Sequence, residues 1–288
     1  MRQRWVGFSG EICQLMENAP RGSSFRRVFK AGRESTFSFR SANHRTFCTT
    51  PNPVNIMKIK AVVFDAYGTL FDVHSIQTLA EQFYPGQGAA ISVMWRDKQI
   101  EYTRLITQSD PHQANGSKYY LPFWEITKLS LDYTLDRLKL DRNGGAVLEL
   151  MRQYARLSPF PENLGVLEKI KRAGLTTAIL SNGSPEMLES AVANAGMSER
   201  LDHLISVDPI RLFKTSPESY GLVQKNMPFE KQQILFVSSN AWDALGATWF
   251  GFTTLWVNRQ GLPYETIGPK PTYAGRDLSR VCEIIEVN

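Results

Sequence analysis

The stretch Lys58-Ile-Lys-Ala-Val-Val-Phe64 alternates polar with apolar residues, turns continuously apolar, and is followed at once by Asp65. A run of that kind is the pattern of a strand buried on both faces of a parallel sheet. Residues 176–180, 233–237 and 253–257 share it. Between these runs lie helical segments with recognisable ends. One covers 161–173 and stops at Gly174. Another has Ser184 as N-cap, Pro185 in its first position and Gly196 beyond its end. A third opens with Ser216 and Pro217, and a fourth covers 241–250 ahead of Gly251. Strands alternating with helices imply a parallel sheet covered on both faces, so the expected fold is a doubly wound, Rossmann-like α/β core.

The first strand is not followed promptly by its crossover helix. Residues 73–157 instead hold four helical patterns: Val73, Ile76, Leu79/Ala80 and Phe83; Met94/Trp95, Tyr102 and Leu105; Tyr120, Phe123/Trp124 and Thr127; Val147/Leu148, Met151 and Tyr154. Residues 108–118, with a proline and a glycine among polar residues, read as a loop between two of them. Ligands of open α/β sheets bind at the carboxyl ends of the strands, where this insertion begins, so it is placed to cap the site. The expected organisation is a core of residues 57–72 and 158–288, an all-helical cap of residues 73–157, and a leader of residues 1–56.

Residues 1–56 have neither helical nor strand periodicity and are rich in Arg, Ser, Phe and Asn. They carry nine Lys/Arg and three Glu, which leaves 24 basic and 25 acidic residues for the remainder. The overall charge of +5 therefore belongs to the leader, and the body, at −1, gives no footprint for nucleic acid. Such a leader reads as a poorly ordered or dispensable extension ahead of Met57, or as an organelle transit peptide. No apolar run approaches the roughly 18 residues of a membrane span. Cys13, Cys48 and Cys282 are too scattered for a disulfide framework or a metal motif and fit a reducing compartment. A cytoplasmic location is expected, with organelle import through residues 1–56 as the lesser alternative.

Five polar positions fall just beyond apolar strands: Asp65, Thr69, Ser181/Asn182, Lys214, and the segment from Ser238 to Asp243. In a parallel sheet all carboxyl strand ends lie on one edge, so these groups converge although far apart in sequence. Two carboxylates, one lysine and several hydroxyl and amide groups form a catalytic composition. Singly they mean less: Ser238 and Asn240 suit a helix N-cap and its neighbour, Thr69 suits a turn after Gly68, and Phe123 and Trp242 suit a core. His74, His112 and His203 pair with no nucleophile and are expected on surfaces.

Val63-Phe-Asp65-Ala-Tyr67-Gly-Thr69-Leu-Phe-Asp72-Val resembles the nucleophile motif of the haloacid dehalogenase superfamily, in its L-2-haloacid dehalogenase version. Leu180-Ser181-Asn182-Gly183 is similar to the second motif, and Lys214 with Ser216-Pro217-Glu218 and Tyr220 to the third. Val237-Ser238-Ser239-Asn240-Ala241-Trp242-Asp243 is similar to the fourth. Trp95-Arg96-Asp-Lys-Gln-Ile100-Glu-Tyr102 resembles the halide-side arginine segment of that family. The superfamily's phosphatases carry a second Asp two residues after the nucleophile. Tyr67 stands there in this chain, and a phenol does no carboxylate acid/base work near neutral pH. Ser239 stands where those enzymes bring a further Asp for Mg²⁺.

The resemblance implies a hydrolysis of L-2-haloalkanoic acids to D-2-hydroxy acids through an ester on Asp65, with no metal and no cofactor. It assigns Asp65 as nucleophile, Lys214 beside it to stabilise its charge, and Asp243 to activate or orient water. Thr69, Ser238, Asn240 and Tyr220 hold that arrangement. The substrate carboxylate is expected against Ser181 and the backbone N–H groups of Ala66 and Tyr67, and the departing halide against Arg96 and Asn182. Tyr67, Ile100, Phe123 and Trp242 are expected to wall the alkyl group. The implied partner is a small halogenated carboxylic acid, with neither nucleic acid nor membrane, and a homodimer is expected. The alternatives are a Mg²⁺-dependent phosphatase of the same superfamily and, more distantly, a non-catalytic binding protein.

Overall fold

A computed structural model describes residues 58–110 and 116–287. The leader, His112 and part of the 108–118 loop lie outside the described residues. Six parallel strands form one sheet: β1 (Ala61–Phe64), β2 (Thr176–Ser181), β3 (His203–Ser206), β4 (Ile234–Ser238), β5 (Thr253–Val257) and β6 (Tyr273–Gly275), in the order β3-β2-β1-β4-β5-β6. β1 is central, with Phe64 level with Ile179 on one side and Val237 on the other. From β1 the chain passes to β2 and β3 on one side and then returns to β4 on the other, a reversal of strand order that in open α/β sheets makes a crevice at the carboxyl ends. Every residue of β1, β4 and β5 is buried, as continuous apolar runs require.

Four helices intervene between β1 and the rest of the core: α1 (Gln77–Phe83), α2 (Gly88–Gln108), α3 (Phe123–Arg137) and α4 (Gly144–Tyr154). They form the inserted cap. Its central packing sets α2 against α3, where Thr127, Ser130 and Thr134 are buried. Each returns its hydroxyl to the carbonyl four residues earlier, so three small polar side chains fit the helix interface without leaving a polar group unpaired. The core helices are α5 (Asn163–Arg172), α6 (Pro185–Asn194), α7 (Pro217–Asn226), α8 (Ala241–Phe250) and α9 (Ser279–Val287). Ser184 caps α6 with Pro185 in its first turn, and α8 ends on Gly251 in the left-handed region, as the sequence predicts.

Several expectations need correction. β1 begins at Ala61, although its backbone pairing continues through Lys60 to Gln233 and Thr176. β3, β6 and α9 were missed: β3 mixes a half-buried His203 and an exposed Leu204 with buried residues, and β6 is a three-residue edge strand. In the cap, Phe83, Leu105 and Leu148 fall on solvent-exposed faces, and Tyr120 precedes α3 instead of belonging to it. His74 is half-buried, its Nδ1 2.9 Å from Ser92 Oγ, and burial holds its imidazole below the ordinary histidine range.

Candidate active site

Asp65 follows β1 and is 6% exposed. Its Oδ2 accepts from the Thr69 hydroxyl at 3.0 Å and from Asn240 Nδ2 at 2.8 Å, and its Oδ1 accepts from Lys214 Nζ at 3.0 Å. The turn that brings Thr69 back to Asp65 passes through Gly68 at φ +95°, a conformation that side-chain-bearing residues rarely adopt. Thr69 does more than shape this turn. Its Oγ1 also accepts the Ser239 amide at 2.8 Å, tying the loop after β1 to the loop after β4.

Lys214 is 1% exposed and bridges two carboxylates, donating to Asp243 Oδ2 at 3.0 Å as well as to Asp65. Asp243 is fully buried in the first turn of α8, where the helix dipole favours a negative charge. Its Oδ1 accepts from the Tyr220 hydroxyl at 2.8 Å. Burial pushes the Asp243 carboxyl up to about 6, against the pull of Lys214 and with the help of the Asp65 charge. Burial pulls the Lys214 ammonium down, but Asp243 and Asp65 outweigh it and hold it above the ordinary lysine range. Both shifts follow from one ammonium serving two carboxylates. The Tyr220 ring is set edge-on against Phe236, 5.7 Å between centroids, and Lys214 Nζ lies 5.1 Å from the same Phe236 ring. α8 approaches this cluster through Gly246, where a Cβ would stand 2.4 Å from the Tyr220 hydroxyl and 2.8 Å from Thr215.

Asn240 occupies the N-cap position of α8, yet its side chain makes no capping bond. It donates instead to Asp65 and, at 3.1 Å, to the Tyr67 carbonyl. Giving up a local cap for a tertiary partner is the local inconsistency expected at a functional site. Ser238 Oγ accepts the Asn240 amide at 3.1 Å and keeps this turn in place. From the cap, Arg96 on α2 donates to the Tyr67 carbonyl at 3.0 Å and to Asn240 Oδ1 at 3.3 Å. The structure thus brings together Asp65, Thr69, Arg96, Lys214, Tyr220, Ser238, Asn240 and Asp243.

Ser181 and Asn182 end β2. Ser181 Oγ accepts the Gly183 amide at 3.1 Å, which leaves its proton to donate, and Asn182 Oδ1 accepts the Lys214 amide at 3.0 Å, which leaves its Nδ2 to donate. Among the described residues the amides of Ala66 and Tyr67 have no protein acceptor. Among the described residues no hydrogen bond joins Arg96 to Asn182. The Tyr67 ring packs 5.6 Å from Phe123 and stacks 5.7 Å from Tyr154, and burial raises its phenol far above the range in which it ionises. A cavity of about 790 Å³ ends on Arg96, Asn240 and Trp242, with Gly68, His74 and Arg259 also on its wall. A second, of about 460 Å³, brings Ile100 to the same three residues. Trp242 is half-buried, with Arg104 over its ring at 5.3 Å.

Gln99 and Tyr154 were missed by sequence reasoning. Gln99 Oε1 accepts from Arg96 at 2.7 Å and from the Tyr154 hydroxyl at 3.1 Å. A signal existed: Trp95, Gln99 and Thr103 recur at four-residue spacing on the buried face of α2, and a buried glutamine demands partners. Among the described residues no group of three or more His, Cys, Asp or Glu side chains could hold a metal ion. The position between the two carboxylates belongs to Lys214.

The sequence matches the haloacid dehalogenase-like hydrolase family over residues 59–251. It is 42% identical to an (S)-2-haloacid dehalogenase of Pseudomonas sp. (strain YL) across 79% of this chain and 95% of that protein. The structure of an L-2-haloacid dehalogenase with 51% sequence identity superposes with a TM-score of 0.76, covering 80% of this chain and 99% of that one. The L-2-haloacid dehalogenase from Xanthobacter autotrophicus with chloropropionic acid covalently bound is 37% identical, with a TM-score of 0.71 over 79% of this chain and 98% of that one.

Proposed function

The chain belongs to the haloacid dehalogenase-like hydrolases, and from that premise we infer that it is an L-2-haloacid dehalogenase, converting L-2-haloalkanoic acids to D-2-hydroxy acids. The observation that carries this reading is the setting of Asp65. Three donors hold its carboxylate, while the side chain two residues on is the buried, un-ionised Tyr67, packed among aromatic rings. Such a site suits displacement at an apolar carbon. It lacks the second carboxylate with which a phosphatase would protonate its leaving group.

The Asp65 carboxylate attacks C2 from the side opposite the halogen. A C–O bond forms as the C–halogen bond breaks, the halide leaves with the bonding electrons, and C2 inverts. Because backside attack requires three centres in line, positioning supplies much of the acceleration. The substrate carboxylate is held by Ser181 and the amides of Ala66 and Tyr67, whose donors are unclaimed. Arg96 and Asn182 face the departing halide, and Tyr67, Ile100, Phe123 and Trp242 enclose the alkyl group. Asp243 then takes a proton from a water that attacks the ester carbonyl of Asp65. The acyl C–O bond breaks, Asp243 returns that proton to the leaving alkoxide as the hydroxy acid departs, and the regenerated Asp65 carboxyl loses the second proton of the water to solvent. Lys214 supplies the positive charge throughout, so the reaction as written calls on no metal or cofactor.

The division into a core of residues 57–72 and 158–288 and a cap of residues 73–157 is part of this reading, with catalysis at their seam. A homodimer is proposed as well: Val93 and Leu105, each 54% exposed on α2, offer apolar surface to a second copy. A cytoplasmic location suits the sparse cysteines. The deciding experiment is chloride release from L- and D-2-chloropropionate, each with chelator present and with an Asp65→Asn control. Release from the L-acid alone, indifferent to chelator and lost in the control, is expected. Phosphate release that needs Mg²⁺, without chloride release, would overturn the reading.

A further inference from the structure

An arginine on a flexible stem serves a departing halide only if something holds its guanidinium in one pose without cancelling its charge. The acceptors around Arg96 are all neutral: the Tyr67 carbonyl, Asn240 Oδ1 and Gln99 Oε1. Of these, Gln99 makes the shortest bond, 2.7 Å to Nη1, and comes from the same helix.

The way round that the Gln99 amide lies follows from its surroundings. Thr127 on α3 commits its hydroxyl proton to the Phe123 carbonyl at 2.7 Å, so toward Gln99 its Oγ1 can only accept. Gln99 Nε2 fills that need at 2.7 Å, which turns Oε1 toward Arg96. Oε1 has two lone pairs, and Arg96 and the Tyr154 hydroxyl on α4 take both. Gln99 and Thr127 are fully buried and Tyr154 nearly so, which shields these bonds from water. One residue from each of three cap helices therefore fixes a single guanidinium.

We propose that Gln99 is a positioning residue that, oriented by Thr127 and Tyr154, aims Arg96 at the leaving halide while leaving its charge un-neutralised. This role rests on the dehalogenase reading. A glutamate here would also hold Arg96 but would cancel its field, and a methionine would leave it unanchored. Either loss falls on leaving-group departure, and chloride, the poorer leaving group, depends on that help more than bromide does.

The test uses the full chain and the variants Gln99→Glu, Gln99→Met and Thr127→Val, in single-turnover halide release from L-2-chloropropionate and L-2-bromopropionate. Relative to bromide, chloride release is expected to fall by about tenfold in both Gln99 variants, the scale of a weakened transition-state donor. KM should change little. Thr127→Val touches nothing near the halide but frees the amide to turn, so it should show the same skew to a smaller degree. Folding is checked by circular dichroism. An equal decline for both halides, or none, in a folded Gln99 or Thr127 variant overturns the proposal. Failure of the unaltered protein to release either halide would overturn the dehalogenase reading beneath it.

Discussion

Nζ of Lys214 lies 3.0 Å from Oδ1 of Asp65, although 149 residues separate them. The same ammonium reaches Asp243, so removing it would strand two buried carboxylates with like charge. Lys214→Met is expected to abolish halide release and to cost on the order of 3–5 kcal/mol of stability, the usual penalty for breaking a buried pair. Urea denaturation beside the activity assay checks this. A variant as stable as the parent would show that the bridge carries little of the fold.

Asp243 must be ionised to take a proton from water, and burial pushes its carboxyl up to about 6. Esterified Asp65 carries no charge to help raise it, so ester hydrolysis should be full at alkaline pH and decline along an acidic limb below about 6, where protonation removes the base. The Tyr220 hydroxyl bonds to the ionised form and lowers that value, so Tyr220→Phe should move the acidic limb to higher pH. Rapid-quench hydrolysis rates across roughly pH 4–8 would resolve it. An unmoved limb would count against Asp243 as the titrating group.

Asp243→Asn should separate the two chemical steps. Displacement needs Asp65, so one equivalent of halide is expected in a burst. The ester should then persist for want of a base. Intact-protein mass spectrometry should find the mass of the substrate's carboxyalkyl group added, and peptide mapping should place it on a peptide containing Asp65. Continuous turnover by this variant would assign the water-activating role elsewhere.

A Cβ at position 246 would stand 2.4 Å from the Tyr220 hydroxyl, closer than such atoms approach. Gly246→Ala is expected to push Tyr220 off Asp243, to cost about 1–3 kcal/mol as overpacking does, and to move the acidic limb as Tyr220→Phe does. Thermal melting and the pH profile read the two effects separately.

Much of the catalytic edge was legible because a parallel sheet converts sequence pattern into position. Asp65, Ser181 and Ser238 each sit at the end of an apolar run, and the register of β1 with β2 and β4 puts those ends side by side. The cap was less legible. Phe83, Leu105 and Leu148 complete plausible apolar stripes yet face solvent, since which face of a cap helix is buried depends on what packs against it. α2, at 21 residues, meets α1, α3 and the core edge along different parts of its length. A single stripe cannot describe such a helix.

The sequence by itself determined the alternation of β1, β2, β4 and β5 with their helices and the helix ends at Ser184 and Gly251, while the roles expected of Asp65 and Lys214 rest on the resemblance of their motifs to the family's. The alternation and the helix ends follow from short-range periodicity and capping chemistry, which need only neighbours in the chain. Tertiary structure alone decided that Asn240 would leave its capping role for Asp65, and that Gln99 would turn its oxygen toward Arg96. Both choices depend on which lone pairs and protons remain unclaimed when distant elements meet: Asp65 Oδ2 has room for a second donor beside Thr69, and Thr127 has spent its proton on Phe123. Hydrogen-bond supply of that kind is settled only once the elements are packed.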